Sequence, residues 1–261
     1  MKRYIIWTLT CVLLLASCKE EKKVTTFQDL YKEQPFAIIT APVQDLAPRI
    51  IVKNTQDKVL NDELDECAHF LRQSLTQPLV AMGYYALPPL SSDIILNKVD
   101  KNYQQLMQEN VGEFSTNYGI DAILLVTLYK WKEPEINEIV VFAEYTLRST
   151  KTGLELMHTC VRGRKIQPID AKCEPVELDS DLRFIENSGL DKRLAHRCIL
   201  LQEMSDFVLR SIPTSAGRWY FQHDQYISAN PTYYSFVMLP DGSIERTEYD
   251  DLAFNNECLK N

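Results

Sequence analysis

Glycine is scarce in this sequence, with 8 residues in 261. That leaves little material for glycine-rich loops that cradle phosphates, and no phosphate-binding glycine motif is present. Histidine is scarcer still: His69, His158, His196 and His223 are the four. Neither His-Glu-x-x-His nor Gly-x-Ser-x-Gly occurs, so the common zinc-hydrolase and serine-hydrolase signatures are missing. Basic residues are outnumbered, 28 Lys and Arg against 36 Asp and Glu, for a net charge of −8. A balance of that sign repels nucleic-acid phosphates and gives no basic patch for an anionic bilayer surface. No apolar run reaches the roughly 20 residues needed to span a hydrocarbon core.

What is present begins at the start of the chain. Lys2 and Arg3 precede 13 mostly apolar residues, Tyr4 to Ala16, and Leu15-Ala16-Ser17-Cys18 follows at their boundary. The pattern of a short positive segment, a short apolar segment and small residues is that of an export signal. The last four residues resemble the bacterial lipobox. In that motif Leu15, Ala16 and Ser17 are the peptidase recognition positions, and the Cys18 thiol takes a diacylglyceryl group before cleavage. Residues 1–17 are therefore expected to be removed and residues 18–34 to form a lipidated flexible tether. Loss of Lys2 and Arg3 leaves 26 basic against 36 acidic residues, or −10. The anchor expected is the acyl chains of Cys18, since each buried methylene contributes about 0.8 kcal/mol. Lys19 stands where the commonest inner-membrane retention signal has Asp. Lys19-Glu20-Glu21 resembles the acidic surface-export signal of Bacteroidetes-type lipoproteins and equally suits a solvated spacer. Outer-membrane anchoring follows as the expectation, on the periplasmic face or the cell surface.

Beyond Cys18 and the signal's Cys11, five cysteines remain: Cys67, Cys160, Cys173, Cys198 and Cys258. Their spacings fit no zinc motif, and an odd count leaves one thiol unpaired. Cys67 and Cys198 fall on apolar helical faces and are expected as small core residues. Cys173 and Cys258 lie in polar sequence and are the first to examine for a disulfide.

Periodicity outlines an α/β domain over residues 35–212. Phe36–Pro42 is a short buried strand. Leu60, Leu64, Cys67, Leu71, Leu75 and Leu79 recur at helical steps after an Asn61 cap, and the helix is expected to kink at Pro78 and end at Gly83. Tyr84–Pro89 is expected as a strand, and Val111, Phe114 and Tyr118 mark a short helix closed by Gly119. Ala122–Tyr129 is an unbroken apolar run that suits a central strand covered on both faces. Ile139–Ser149 and Leu154–Val161 are strands joined by a tight turn at Thr150–Gly153. Residues 165–188 are expected to be an irregular, charged insertion, and Leu190–Ile212 a helix. In the 213–261 extension, Pro240-Asp241-Gly242 marks a hairpin and Trp219-Tyr220-Phe221 an aromatic segment. The fold class is a mixed β-sheet with helices packed on it.

This order of elements, with its residues, resembles a family of small bacterial lipoproteins known mainly as antigens. Their fold is similar to the TolB N-terminal domain and the curli-secretion lipoprotein CsgG. Three segments carry the resemblance: Thr76–Tyr85, with Pro78 and Gly83-Tyr84-Tyr85; Tyr118–Leu124, with Gly119-Ile120-Asp121-Ala122; and Tyr145–Leu156, through Thr152-Gly153. Met157 stands where the family commonly has tryptophan. The resemblance implies an accessory or scaffold role in an outer-membrane or periplasmic assembly, and carries over no activity, ligand or cofactor.

The residues themselves give no catalytic set and no metal set. Cys67 and His69 are two apart on a helix and point to different faces. His158 and Cys160 are two apart on a strand and share a face, near Glu144 or Glu155. A Cys–His pair is conceivable there, set against an ordinary half-buried strand histidine. The expected partners are a membrane, through the lipid, and other envelope proteins, with a homo-oligomer as one option and nucleic acid excluded. The alternative is an enzyme or solute-binding lipoprotein whose site lies in the 165–188 insertion or the C-terminal extension.

Overall fold

A computed structural model describes residues 35–49, 55–212, 215 and 232–250, with side chains of the first helix described from Asn61 onward. Leu15–Cys18, the tether, His223, Trp219-Tyr220-Phe221 and Cys258 lie outside the described residues. The elements, in chain order, are β1 (Ala37–Thr40), β2 (Gln44–Asp45), α1 (Thr55–Ser74), α2 (Thr76–Ala81), β3 (Tyr85–Ala86) and α3 (Pro89–Val99). There follow α4 (Tyr103–Gln108), α5 (Gly112–Tyr118), β4 (Ala122–Lys132), β5 (Glu138–Ser149), β6 (Glu155–Ile166), α6 (Asp179–Ser188), α7 (Lys192–Arg210), β7 (Thr232–Met238) and β8 (Ile244–Tyr249). They form a mixed eight-stranded sheet in the order β3-β1-β4-β5-β6-β7-β8, with β2 pairing β4 beyond the end of β1. The pairs β4–β5, β5–β6 and β7–β8 are antiparallel, whereas β1–β4 and β6–β7 are parallel.

The alternation of side chains along β4 divides the interior in two. Leu124, Val126 and Leu128 face the layer of α1, α2 and α7, where Leu71, Leu75, Leu79, Leu201 and Met204 are buried. Ile123 and Leu125 face the opposite layer, with Leu96, Leu106 and Phe114 of α3, α4 and α5. An unbroken apolar strand is what this two-sided burial requires. Gly163 on β6 lets α7 come close: a Cβ there would sit 2.6 Å from Met204 Sδ and 3.1 Å from Val141 Cγ1.

Asp121 has a structural purpose. Its Oδ2 accepts from the backbone N–H groups of Phe36 and Ala37, at 3.1 and 3.0 Å, and Lys151 Nζ lies 2.7 Å from Oδ1. The start of β1 is thereby clamped to the start of β4, with Asp121 two residues after the turn that Gly119 makes with φ +65°. Burial would raise the Asp121 carboxyl, but Lys151 and the two N–H groups outweigh it and hold it below its ordinary value.

Several local expectations give way. The first helix begins at Thr55, so Asn61 lies inside it and does not cap it. There is no single helix kinked at Pro78. The chain breaks at Leu75, and Pro78 falls in the first turn of α2, where the missing N–H costs no helical bond. Only Tyr85 and Ala86 pair as a strand, and Pro89 opens α3 as its first residue. Residues 165–188 are not an irregular insertion throughout. β6 runs on to Ile166 and α6 occupies Asp179–Ser188, leaving about a dozen residues between them. That helix belongs to the core layer: Phe184 meets Phe70 of α1 edge to face, with ring centroids 6.1 Å apart. The β7–β8 hairpin turns at the expected Asp241-Gly242. Among the described residues no helix is long and apolar enough to cross a membrane.

Candidate functional site

Two polar clusters stand out, one on each side of the sheet's long hairpin. The first lies on the outer face of β5 and β6, beside α4. The Thr150–Leu154 turn sets the register so that Glu144 opposes Cys160 and Thr146 opposes His158. Glu144 Oε1 lies 2.5 Å from His158 Nε2, and Glu155 Oε2 lies 3.4 Å from His158 Nδ1. The Tyr129 hydroxyl donates to Glu144 Oε2. Sequence reasoning placed His158 and Cys160 on one face with Glu144 or Glu155 nearby, and the structure brings all four together. It missed Tyr129, which a bulge between Leu128 and Lys130 displaces from regular pairing. Burial would lower the His158 imidazole, but hydrogen bonds to Cys160, Glu144 and Glu155 outweigh it and raise it to about 11. The hydrogen bond from His158 holds Glu144 below the ordinary carboxylate range, against the effect of burial. A protonated imidazole between two carboxylates is a poor general base at neutral pH, so His158 reads as a half-buried strand histidine held by Glu144 and Glu155 and not as the base of the conceivable Cys–His pair.

The second cluster sits where β6 leaves the sheet. Lys165 Nζ lies 2.8 Å from Asp181 Oδ2 with both side chains buried, and His196 Nε2 lies 2.6 Å from Glu177 Oε2. His196 Nδ1 has no hydrogen-bond partner, its nearest acid oxygen being Asp181 Oδ2 at 3.6 Å. Burial pushes the His196 imidazole below its ordinary value; Lys165 acts the same way, while Glu177 and Asp181 oppose. As pH falls below about 6.5, the unfolded chain therefore takes up a proton that the folded chain resists. The stability this group contributes is present above that pH and is lost below it. Melting temperature should fall between pH 7 and pH 5, and the fall should be shallower in His196→Gln. An identical pH profile in that variant would remove His196 as the cause.

Beside this cluster opens a cleft of about 540 Å³. The β4–β5 connection supplies Glu133, Glu135 and Ile136, the segment after β6 supplies Pro175 and Glu177, and α7 supplies Arg193 and His196. Arg197 reaches Glu63 at 2.9 Å and Glu133 at 2.7 Å, and Arg193 reaches Glu133 at 2.8 Å. Glu135 has no ion-pair partner among the described residues. Ile136, on the lining, is 79% exposed, and on the 167–177 segment that supplies Gln167, Pro175 and Glu177 the side chains of Ile169 and Val176 are 53% and 42% exposed. Ile169 bridges across a small loop to Pro175, itself a lining residue of the cleft.

The remaining candidates separate. Cys67 and Cys198 are buried, as expected, and touch each other across α1 and α7. The contact with Cys198, and then burial, push the Cys67 thiol far above its ordinary value, which leaves it an inert core group. Cys173 is exposed and free. His69 lies on the surface of α1, 2.9 Å from Gln73, away from Cys67.

Fold and clusters together define a mixed α/β domain with an acidic cleft beside the end of β6. No family model matches the sequence, and no curated protein matches it. Among solved structures, one with partial likeness is the lipoprotein GNA1162 from Neisseria meningitidis. It is 18% identical at a TM-score of 0.40, over 62% of this chain and 99% of that one. Another is the PelC dodecamer from Paraburkholderia phytofirmans, 10% identical at 0.32, over 67% and 89%. A third is the C-terminal domain of LpoB from Salmonella enterica, 10% identical at 0.26, over 52% and 94%. Likeness of this degree says nothing about what the chain binds, which its own residues must decide.

Proposed function

We propose that this chain is a lipid-anchored envelope protein that binds a protein partner and turns over no substrate, an accessory or scaffold of an outer-membrane or periplasmic assembly. The TolB- and CsgG-like resemblance of the Thr76–Tyr85, Tyr118–Leu124 and Tyr145–Leu156 segments is part of this reading, as is anchoring through Cys18. The observation that carries it is the exposed Ile136 on the cleft, with Ile169 and Val176 exposed on the neighbouring 167–177 segment. Exposed apolar groups gathered in this way, on the lining of an acidic cleft and on the segment that supplies another of its walls, mark interaction sites. With Glu135 unpaired on the same lining, the complementary surface carries aliphatic groups and at least one Lys or Arg. Glu133 and Glu177 within the cleft are held by Arg193, Arg197 and His196, which suits a binding surface built from paired charges.

A cleft of this volume also has the size of small-molecule pockets, which favours a solute-binding lipoprotein as the second reading. The doubly substituted Ile136→Asp/Val176→Asp protein, lipidated and full length, separates the two. Its circular dichroism and melting temperature should match wild type, because both positions are exposed. Cross-linked capture of the wild-type partner should fall about tenfold or more. Equal capture by both forms would remove these side chains from the proposal, and saturable binding of a small solute that survives both changes would favour the second reading.

A further inference from the structure

We propose that Glu144, His158 and Cys160 form a site for a divalent transition metal of the zinc type, with its fourth position open to solvent. One ligand atom from each residue lies within 4.8 Å of the others. Zinc bonds of about 2.0–2.3 Å place tetrahedral ligand atoms roughly 3.3–3.8 Å apart, so small side-chain rotations from the present geometry suffice. The donor set is a carboxylate oxygen, an imidazole nitrogen and a sulfur, a mixture that suits zinc and disfavours magnesium or calcium. Strand register holds it: Glu144 and Cys160 are directly paired, and His158 projects from the same face two residues earlier.

Two further contacts are those a metal site needs around its ligands. Glu155 Oε2 lies 3.4 Å from His158 Nδ1, placed to take that N–H when a metal displaces the proton on Nε2, so Nε2 becomes the ligand nitrogen and binding releases a proton. Tyr129 holds the other oxygen of Glu144, which orients Oε1 towards His158. All three ligands are only half-buried, so a water or a donor from another molecule can complete the tetrahedron. The second acidic cluster makes the contrast. Glu177, Asp181 and His196 are equally close together, but Lys165 already places an ammonium 2.8 Å from Asp181 in the interior, and a second cation would be repelled there.

The test uses the full lipidated protein in detergent, reduced and stripped with a chelator, then titrated with Co²⁺ and with Zn²⁺ in competition. One equivalent of cobalt should bind with a thiolate-to-cobalt charge-transfer band that zinc abolishes. Cys160→Ser should lose that band, and His158→Gln and Glu144→Gln should weaken zinc binding by about a hundredfold. Glu155→Gln, which keeps all three ligands, should weaken it by about tenfold. Cys173→Ser should behave as wild type. Circular dichroism confirms that each variant is folded. Absence of saturable binding by the wild-type protein, or a band that survives Cys160→Ser, would overturn the assignment.

Discussion

Cys18→Ser is expected to leave the precursor uncleaved by the lipoprotein peptidase and to move most of the protein out of the membrane fraction. The lipid is carried as a thioether, and a serine hydroxyl is not the nucleophile that forms it. Lipidation precedes cleavage in this pathway, so one substitution blocks both steps. The energetic consequence is large. A single acyl chain gives only marginal, reversible binding, and two or more are needed to hold a protein at a bilayer. Without them the chain has Tyr4–Ala16, 13 residues against the roughly 20 that span a hydrocarbon core. Palmitate labelling and detergent-phase partitioning measure the two effects separately. Unchanged labelling together with unchanged partitioning in Cys18→Ser would sink the lipid anchor.

How much of the domain was legible depends on whether a signal is local. β4 announced itself because both of its faces are buried, which forces a continuous apolar run from Ala122. The β5–β6 hairpin was equally plain, since Thr152-Gly153 fixes a tight turn and Gly153 adopts φ +73° there. That turn also made the Glu144–His158–Cys160 cluster readable in outline: once the turn is placed, the register opposite Glu144 follows. α3 was hidden by Pro88-Pro89, which suits the end of a strand as well as the start of a helix. α6 was hidden for a different reason. Ten residues with four charges carry little helical preference of their own, and what holds them is burial of Asp181 on Lys165 and of Phe184 on Phe70. The cleft joins Glu133, Glu177 and His196 from three separate elements. Nothing in their spacing brings them together, because only the crossover from β6 through α6 and α7 does so.

Lys165→Met is expected to cost about 3–5 kcal/mol, the usual loss when one member of a buried ion pair is removed. Lys165 Nζ and Asp181 Oδ2 are 2.8 Å apart, and their side chains are 2% and 4% exposed. Removing the ammonium leaves a carboxylate without water and without a cation, since His196 Nδ1 is 3.6 Å away and its ring resists a proton. Asp181→Leu should cost a similar amount, because the buried ammonium is then stranded. For a domain of this size the loss corresponds to a fall in melting temperature of roughly 10 °C. Lys165→Met/Asp181→Leu should recover most of it, since the pair's mutual attraction mainly offsets the desolvation of its own charges, and two apolar side chains require no such offset. Read from urea midpoints of the four proteins, the double variant should be about 3 kcal/mol more stable than either single variant. Single-variant losses below about 1 kcal/mol would mean that water reaches the pair. Losses that simply add in the double variant would mean that each side chain acts through its packing and not through its partner.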